Sequence, residues 1–293
     1  MKFRFIETNR SYFSVKKMCQ VFRVSKSGYY IWRKRPESIR DIENKRLKQR
    51  ILEFYEEHRG MAGSPMITAD LRAEVEFSRV SRNRVARLMK EQGLRCRFIK
   101  KFKTTTDSKH KEPICSNILG RDFYADSPNQ KWVSDITYLR VGDRWCYLTV
   151  ILDLFSRVVV GWDLSTSLEK ESLLKAFRKA VLRRRIKSGL LFHSDRGIQY
   201  ASLEFRSELK RHGCIQSMSR KGDCWDNAVA ESFFHTLKAQ LLYNRRFINK
   251  FQAEQELFRY IEAYYNRRRK HSYNGYKTPV AIEEKWRKEK LVA

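Results

Sequence analysis

With 293 residues, 42% of them hydrophobic, the chain is long enough for two or three domains with real cores. Its 62 Lys and Arg against 33 Asp and Glu leave a formal charge of +29; 29 basic and 13 acidic residues lie up to position 112, and 33 and 20 beyond it, so the excess is no detachable tail and points to a polyanionic partner, nucleic acid first. The lack of any apolar run of about 18 residues argues against a membrane span, the opening MKFRFIETNRSYF against a signal peptide, and six cysteines without a CxxC pair against a zinc ribbon or dithiol site, which leaves the expectation of reduced thiols in a cytoplasmic protein.

Val15, Met18, Cys19 and Phe22 follow helical spacing. Ser25 is placed to cap a second helix, which carries Tyr29, Tyr30 and Trp32 among Lys26, Arg33, Lys34 and Arg35. Two short helices with a tight turn fit a helix-turn-helix over residues 1–40, with Lys26 and Arg33 offered to DNA. An ordinary helical hairpin with a basic face fits the same pattern. Residues 41–96 read as a second all-α module of this kind. DIENKRLKQRILEFYEEH sets Leu47, Ile51, Leu52 and Tyr55 on one side. MAGSPMI interrupts it, and MITADLRAE forms another helix. In SRVSRNRVARLMKEQGL, Ser81 is a cap, Val85, Leu88 and Met89 face inward, and Gly93 is a stop. Arg82, Arg84 and Arg87 crowd this last helix together with Arg79; they suit phosphates, and some of them serve as a solvated face. Residues 97–128 lack sustained periodicity and read as a basic linker.

From Lys131 the texture changes. KWVSDITYLR, WCYLTVILDLFS and RVVVGWDLS are β-rich and closely spaced, which implies antiparallel hairpins. EKESLLKAFRKAVLRRRIKSG is a helix ending at Gly189, LLFHSD a fourth strand, SLEFRSELKRHG a helix, CIQSMS a fifth strand, and NAVAESFFHTLKAQLL a long helix. The order β-β-β-α-β-α-β-α is that of an RNase H-like domain: an α/β fold with a mixed five-stranded sheet flanked by helices, here over residues 129–245. A basic helical tail follows at 246–293. In that order the first and fourth strands are central neighbours. Asp135, inside the first strand, and Asp195, ending the fourth, then lie side by side, and Glu231 comes from the helix after the fifth strand, with 35 residues between it and Asp195. Two carboxylates about 4 Å apart repel by roughly 4 kcal/mol at an effective dielectric of 20, so a proton or a cation must sit between them. Hard oxygen ligands select Mg2+, with Mn2+ as a substitute, and two such ions serve phosphodiester cleavage and strand transfer.

WVSDITYL, LDLFSRVVVGW, HSDRGIQYAS, SMSRKGDCWDNAVAESFFHTLK and YYNRRRKHSYNGYKTPVA resemble, in order, the integrase-core motifs of bacterial insertion-sequence transposases, the OrfB type of the IS-three family above all. The resemblance covers about residues 10 to 285. It implies a DDE triad of Asp135, Asp195 and Glu231 that binds two metal ions, cleavage at the 3′ ends of the element, and joining to DNA. It also implies a bacterial, nucleoid-associated protein with double-stranded DNA as partner, both inverted-repeat ends and target. A dimer or larger assembly on DNA and an OrfA-type partner or fusion belong to the same expectation. GMAGSPMI departs from the family's usual YGYRR-like stretch, which bears on end recognition and not on the chemistry.

Around the triad, Gln199, Lys221, His235 and Lys238 are candidate DNA contacts; Glu231, His235 and Lys238 share one helix face. Arg267, Arg268, Arg269 and Lys270 suit a DNA clamp, with tyrosines interleaved. His193 either orders Asp195 or packs at the strand end, Tyr200 either touches DNA or packs on the sheet, Trp225 is a core candidate, and Asp226 and Asn227 read as helix caps. Asp153 reads as structural. A retroviral integrase would bring an HHCC zinc module, but only His58 and His110 precede the core. The alternative function is a catalytically inactive, transposase-derived DNA-binding protein.

Overall fold

The computed structural model describes residues 1–96, 113–168, 170–242 and 245–292, so the first half of the expected linker, 97–112, lies outside the described residues. Three helices open the chain, α1 Lys2–Thr8, α2 Val15–Val21 and α3 Lys26–Lys34. They close on Ile6, Met18, Cys19 and Tyr29. The Ser25 hydroxyl accepts from the Gly28 amide at 2.9 Å and caps α3. The helical period does not reveal α1, whose seven residues make only two turns.

A second helical cluster consists of α4 Ile39–Glu57, α5 Ser64–Leu71 and α6 Arg82–Glu91. Leu47, Ile51, Phe54, Ile67, Leu71, Val85 and Leu88 fill its centre. Phe54 takes a buried place that the sequence reading gave to Leu52 and Tyr55, which are half-buried. Ser81 accepts from the Arg84 amide at 3.2 Å, and Gly93 ends the element at a φ of +69°, where a side chain would be strained.

The sheet runs in the order β3-β2-β1-β4-β5. β1 Lys131–Val141, β2 Arg144–Asp153 and β3 Val159–Ser165 form an antiparallel meander. β4 Leu191–Ser194 joins β1 in parallel, and β5 Ile215–Met218 joins β4 in parallel. The crossovers are α7 Lys170–Arg183, leading into β4, and α8 Ile198–Ala201 with α9 Leu203–Arg211, leading from β4 to β5. This is the RNase H-like arrangement expected from the element order. α7 stops six residues before Gly189; Arg184 turns away to pair with Glu283, both guanidinium nitrogens meeting the carboxylate at 2.6 Å.

One face of the sheet buries Trp132, Phe177, Phe192, Phe205 and Leu209 under α7 and α9. Gly161 permits the close approach of α7, because a Cβ there would meet the Ala176 carbonyl oxygen at 2.3 Å. On the other face, α10 Ala228–Leu237 sets Phe233 and Leu237 against Val133, Leu148 and Val150. The tail completes the same core. Phe247, bridged to Val141, is buried in it, with Leu257, Tyr260, Ile261 and Tyr265 from α11 Lys250–Phe258 and the π-helical stretch Arg259–Tyr265. Burying each such side chain stabilises the fold by about 1.5–3 kcal/mol. α12 Pro279–Val292 closes the chain.

Two further contacts organise the molecule. Residues after 112 lie against β5: the amides of Ile118 and Leu119 donate to Ser217 Oγ at 2.9 and 3.1 Å. The second helical cluster meets the tail at a polar junction. There the buried His58 pairs through Nε2 with Asp70 at 2.8 Å and meets the Tyr264 hydroxyl at 3.2 Å, and Lys270 Nζ pairs with Asp70 at 2.8 Å. Among the described residues, no helix is long and apolar enough to cross a membrane.

Candidate active site

The site grows from the β1–β4 register. Lys131 faces Leu191, Trp132 faces Phe192 and Val133 faces His193. The pairing stops there; Asp135 lies two residues further along β1, and Asp195 two residues beyond His193, just past the end of β4. The electrostatics agree with this placement. Burial, then the charge of Asp195, then that of Glu231 push the Asp135 carboxyl well above the usual carboxylate range, against the pull of the Ile136 amide and Lys238. Glu231, one turn into α10, is raised by burial and then by Asp195. The three acids that the sequence reading grouped therefore feel one another's charge. Among the described residues no group of three or more His, Cys, Asp or Glu side chains stands ready to hold a metal ion. Asp195 bears on Asp135 more strongly than Glu231 does.

Neighbouring groups fix this pair. Asp195 Oδ1 accepts the Gly197 amide at 2.9 Å, so the residue closes the turn after β4. Asp135 Oδ1 accepts from the next amide, Ile136, at 2.8 Å. The hydroxyls of Ser134 and Tyr200 meet at 2.9 Å. Tyr200 is buried and packs, which decides between the two roles open to it. His193 is fully buried, with ring nitrogens 2.8 Å from Ser217 Oγ and 3.2 Å from Ser219 Oγ, and burial lowers its pKa to about 4. It is a packed strand-end histidine that joins β4 to β5.

Asn227 and Asp226 differ from expectation. Neither caps α10 through its side chain. Asn227 instead donates from Nδ2 to the Ser134 carbonyl at 3.0 Å, tying the start of α10 to β1 one residue from Asp135. Asp226 is fully buried and gathers Arg220, Arg121 and Asn117, at 2.7 to 3.0 Å. The Arg220 hydrogen bonds hold its carboxyl far below the usual range against the effect of burial. A lone "WDN" suggests a cap because both residue types favour that position; only the tertiary partners reveal these roles. Trp225, a core candidate, is 68% exposed, because the 3-10 turn Cys224–Asn227 directs it outward. Asp153 is buried and structural, accepting from the amides of Asn129 and Phe155 at 2.7 and 2.8 Å.

The basic candidates divide by environment. Lys26, Arg82, Lys221, His235, Arg267 and Arg268 are exposed. Arg33 lies 3.5 Å from Glu7, Arg84 pairs with Glu43 at 3.0 Å and Arg87 with Glu91 at 2.5 Å. Gln199 donates to the Leu168 carbonyl at 3.0 Å. Lys238 is half-buried, 5.5 Å from the centre of the Tyr138 ring. Arg269 and Lys270 turn inward: Arg269 Nη1 lies 2.8 Å from His271 Nε2, and Lys270 is held by Asp70 and the Ala69 carbonyl.

Comparison with known proteins agrees with this architecture. Residues 125–224 and 212–279 match models of an integrase core domain, and residues 42–102 match an HTH-like domain. The chain is 40% identical over 287 residues to the transposase InsF for insertion sequence IS3A of Escherichia coli K12, covering 97% of this chain and 99% of the relative. It is 41% identical over 269 residues to the 31 kDa protein of insertion element IS600 of Shigella sonnei, covering 92% and 98%. The HTLV-2 integrase catalytic core domain in complex with magnesium is similar over 54% of this chain and 99% of that one, at 18% identity and a TM-score of 0.43. Identity at this level over nearly the whole length of both chains places the protein in the IS3 family of insertion-sequence DNA transposases.

Proposed function

We propose that Asp135, Asp195 and Glu231 are the catalytic carboxylates, that they hold two Mg2+ ions (Mn2+ substituting), and that the chain cuts the 3′ ends of its element and joins the freed 3′ hydroxyls to DNA. The parallel pairing of β1 with β4, which stops two residues short of both aspartates, together with the charge that the three acids exert on one another, supports this reading. The donor chemistry suits the cation: it is all carboxylate oxygen, and the acids raise one another's pKa, as an unneutralised cluster must, although the three described side chains are not already drawn together as a metal site. When bound, the ions activate a water or a 3′ hydroxyl and stabilise the leaving oxygen. The protein's own part is positioning. Asn227 fixes α10 on β1, Tyr200 and Ser134 brace the strand beneath Asp135, and Lys238 offsets part of the acidic charge.

The same reading assigns DNA backbone contacts to Lys26 and Arg33 on α3, to Arg82, Arg84 and Arg87 on α6, and to Gln199, Lys221, His235, Lys238, Arg267 and Arg268 around the core. Arg269 and Lys270 hold the tail. Residues 1–40 and 41–96 act as end-binding modules, and 129–245 with the tail as the catalytic unit. Two ends must be held together, so the working form is a dimer or larger, alone or with an OrfA-type partner, acting on DNA in the bacterial cytoplasm. The test is nicking of a library of candidate element ends in Mg2+. Glu231→Gln and Asp135→Asn are expected to lower nicking at least about a thousandfold while DNA affinity stays within about twofold. Normal cutting by either variant would overturn the assignment, whereas an inactive wild-type chain that binds the ends in Mg2+ would favour the non-catalytic alternative.

A further inference from the structure

The far end of the β1–β2 hairpin carries an aromatic and basic surface of which the reaction as described uses only Lys238. In β1 and β2 the register pairs Tyr138 with Tyr147 and Arg140 with Trp145. These four residues therefore share one face of the sheet. The opposite face at the same level, Leu139, Val141, Cys146 and Leu148, is buried in the core. Tyr138 is 40% exposed and Trp145 51%, although their rings meet edge-to-face at 5.2 Å. Large rings on an outer hairpin are ordinarily buried or replaced by polar residues. Here they are open to solvent, with the Arg140 side chain 65% exposed alongside and 3.8 Å from the fully exposed Asp143. Lys238, from the end of the helix that carries Glu231, lies 5.5 Å from the centre of the Tyr138 ring and also feels the charge of Asp135. Tyr138 is three residues from Asp135 along β1, about 10 Å at the rise of a strand, and the alternation sends the two side chains to opposite faces, so Lys238 is what links them.

We infer that Tyr138 and Trp145, with Arg140 and Lys238, form a stacking platform for unpaired bases of the DNA strand whose phosphate is held at the carboxylates. The occupant follows from the chemistry. Rigid rings stack on any base, and the two cations match phosphates, the combination by which proteins grip single strands without reading sequence. A chain of net charge +29 favours a polyanion over another copy of itself at a basic surface. The location follows from Lys238, which joins the platform to the carboxylate site. The inference rests on the proposed catalytic role of Asp135, and it implies that the end of the duplex is opened at the site, where the rings stabilise the separated bases.

The test uses the full chain carrying Asp135→Asn, so that DNA is bound and not cut, with two probes: a blunt duplex, and the same duplex forked by three unpaired nucleotides at one end. Trp145→Ala and Tyr138→Ala are each expected to weaken binding of the fork about tenfold and of the blunt duplex less than twofold, with Trp145→Phe restoring the fork. A photoreactive thymine placed in the fork is expected to crosslink to Tyr138 or Trp145. Equal affinity of the Ala variants for the fork, or an equal loss on both probes, would overturn the platform. So would dissociation of a dimer in Trp145→Ala, which would give the face to a second copy. Cutting by the Asp135→Asn chain would overturn the catalytic reading and leave the fork preference standing.

Discussion

Asn227 shows how much of the site depends on single atoms. Its Nδ2 donates to the Ser134 carbonyl, and this bond sets where α10, and with it Glu231, stands relative to Asp135. Asn227→Ala removes an interaction that contributes about 1 kcal/mol to stability, a small fraction of the whole. The effect on catalysis is larger, because a shift of about 1 Å at a reacting centre lowers rates by about a hundredfold. Asn227→Ala should therefore slow nicking roughly tenfold to a hundredfold, with DNA affinity and far-UV circular dichroism unchanged. An unaltered nicking rate would remove the positioning role. His271 gives the corresponding statement for pH. Burial, then the charges of Arg269 and Arg157, lower its pKa to about 3. The folded chain keeps it neutral while the unfolded chain protonates it below about pH 6.5. Its contribution to stability is present above that pH and is lost as pH falls toward 3. At pH 5 the loss is about 2 kcal/mol. Unfolding free energies from urea titrations at pH 7 and pH 5 should differ more for the wild type than for His271→Gln by that amount, and equal differences would contradict it.

At the scale of elements, the junction between α5 and the tail is the point where DNA-binding and catalytic parts meet. Asp70 there serves both His58 and Lys270 in a largely buried setting. Removing one partner of such a pair leaves a buried charge, at a cost of about 3–5 kcal/mol. Lys270→Met should lower the melting temperature by about 5–10 °C, and Asp70→Lys with Lys270→Asp should recover part of it; a melting temperature unmoved by Lys270→Met would show that the contact contributes nothing. None of this was legible from the sequence, where Lys270 is one more cation in NRRRK and Asp70 an ordinary helical acid 200 residues away. The sheet was legible, because strands 131–141, 144–153 and 159–165 announce themselves by β-branched and aromatic runs, and β4 and β5 by short apolar runs between helices. The neighbouring of β1 and β4, on which the expectation for Asp135 and Asp195 rests, was legible too, since it follows from the element order. α1 escaped notice because it is too short to show a period. The roles of Asn227 and Asp226 escaped it because a cap and a tertiary tie use the same residue types, and only the fold says which donor comes near.

For the molecule as a whole, the charge of +29 must be divided between cations that hold the protein together and cations that hold DNA. Many are occupied internally: Arg184 by Glu283, Arg220 and Arg121 by Asp226, Lys270 by Asp70. Exposed cations on α3, α6, the loop at Lys221 and the segment Arg267–Arg268 remain for phosphates. If about eight phosphates are neutralised, the slope of log affinity against log salt is about −7, and raising salt from about 50 to 200 mM weakens binding roughly ten-thousandfold. Single replacements then separate the two classes of cation. Arg82→Gln and Arg268→Gln should each make the slope shallower by about one, uniformly across DNA sequences. Lys270→Gln should leave the slope unchanged although it destabilises the fold, because its ammonium already belongs to Asp70. A slope that falls by one in Lys270→Gln and stays constant in Arg82→Gln would reverse the division, and would mean that the junction opens to let DNA in.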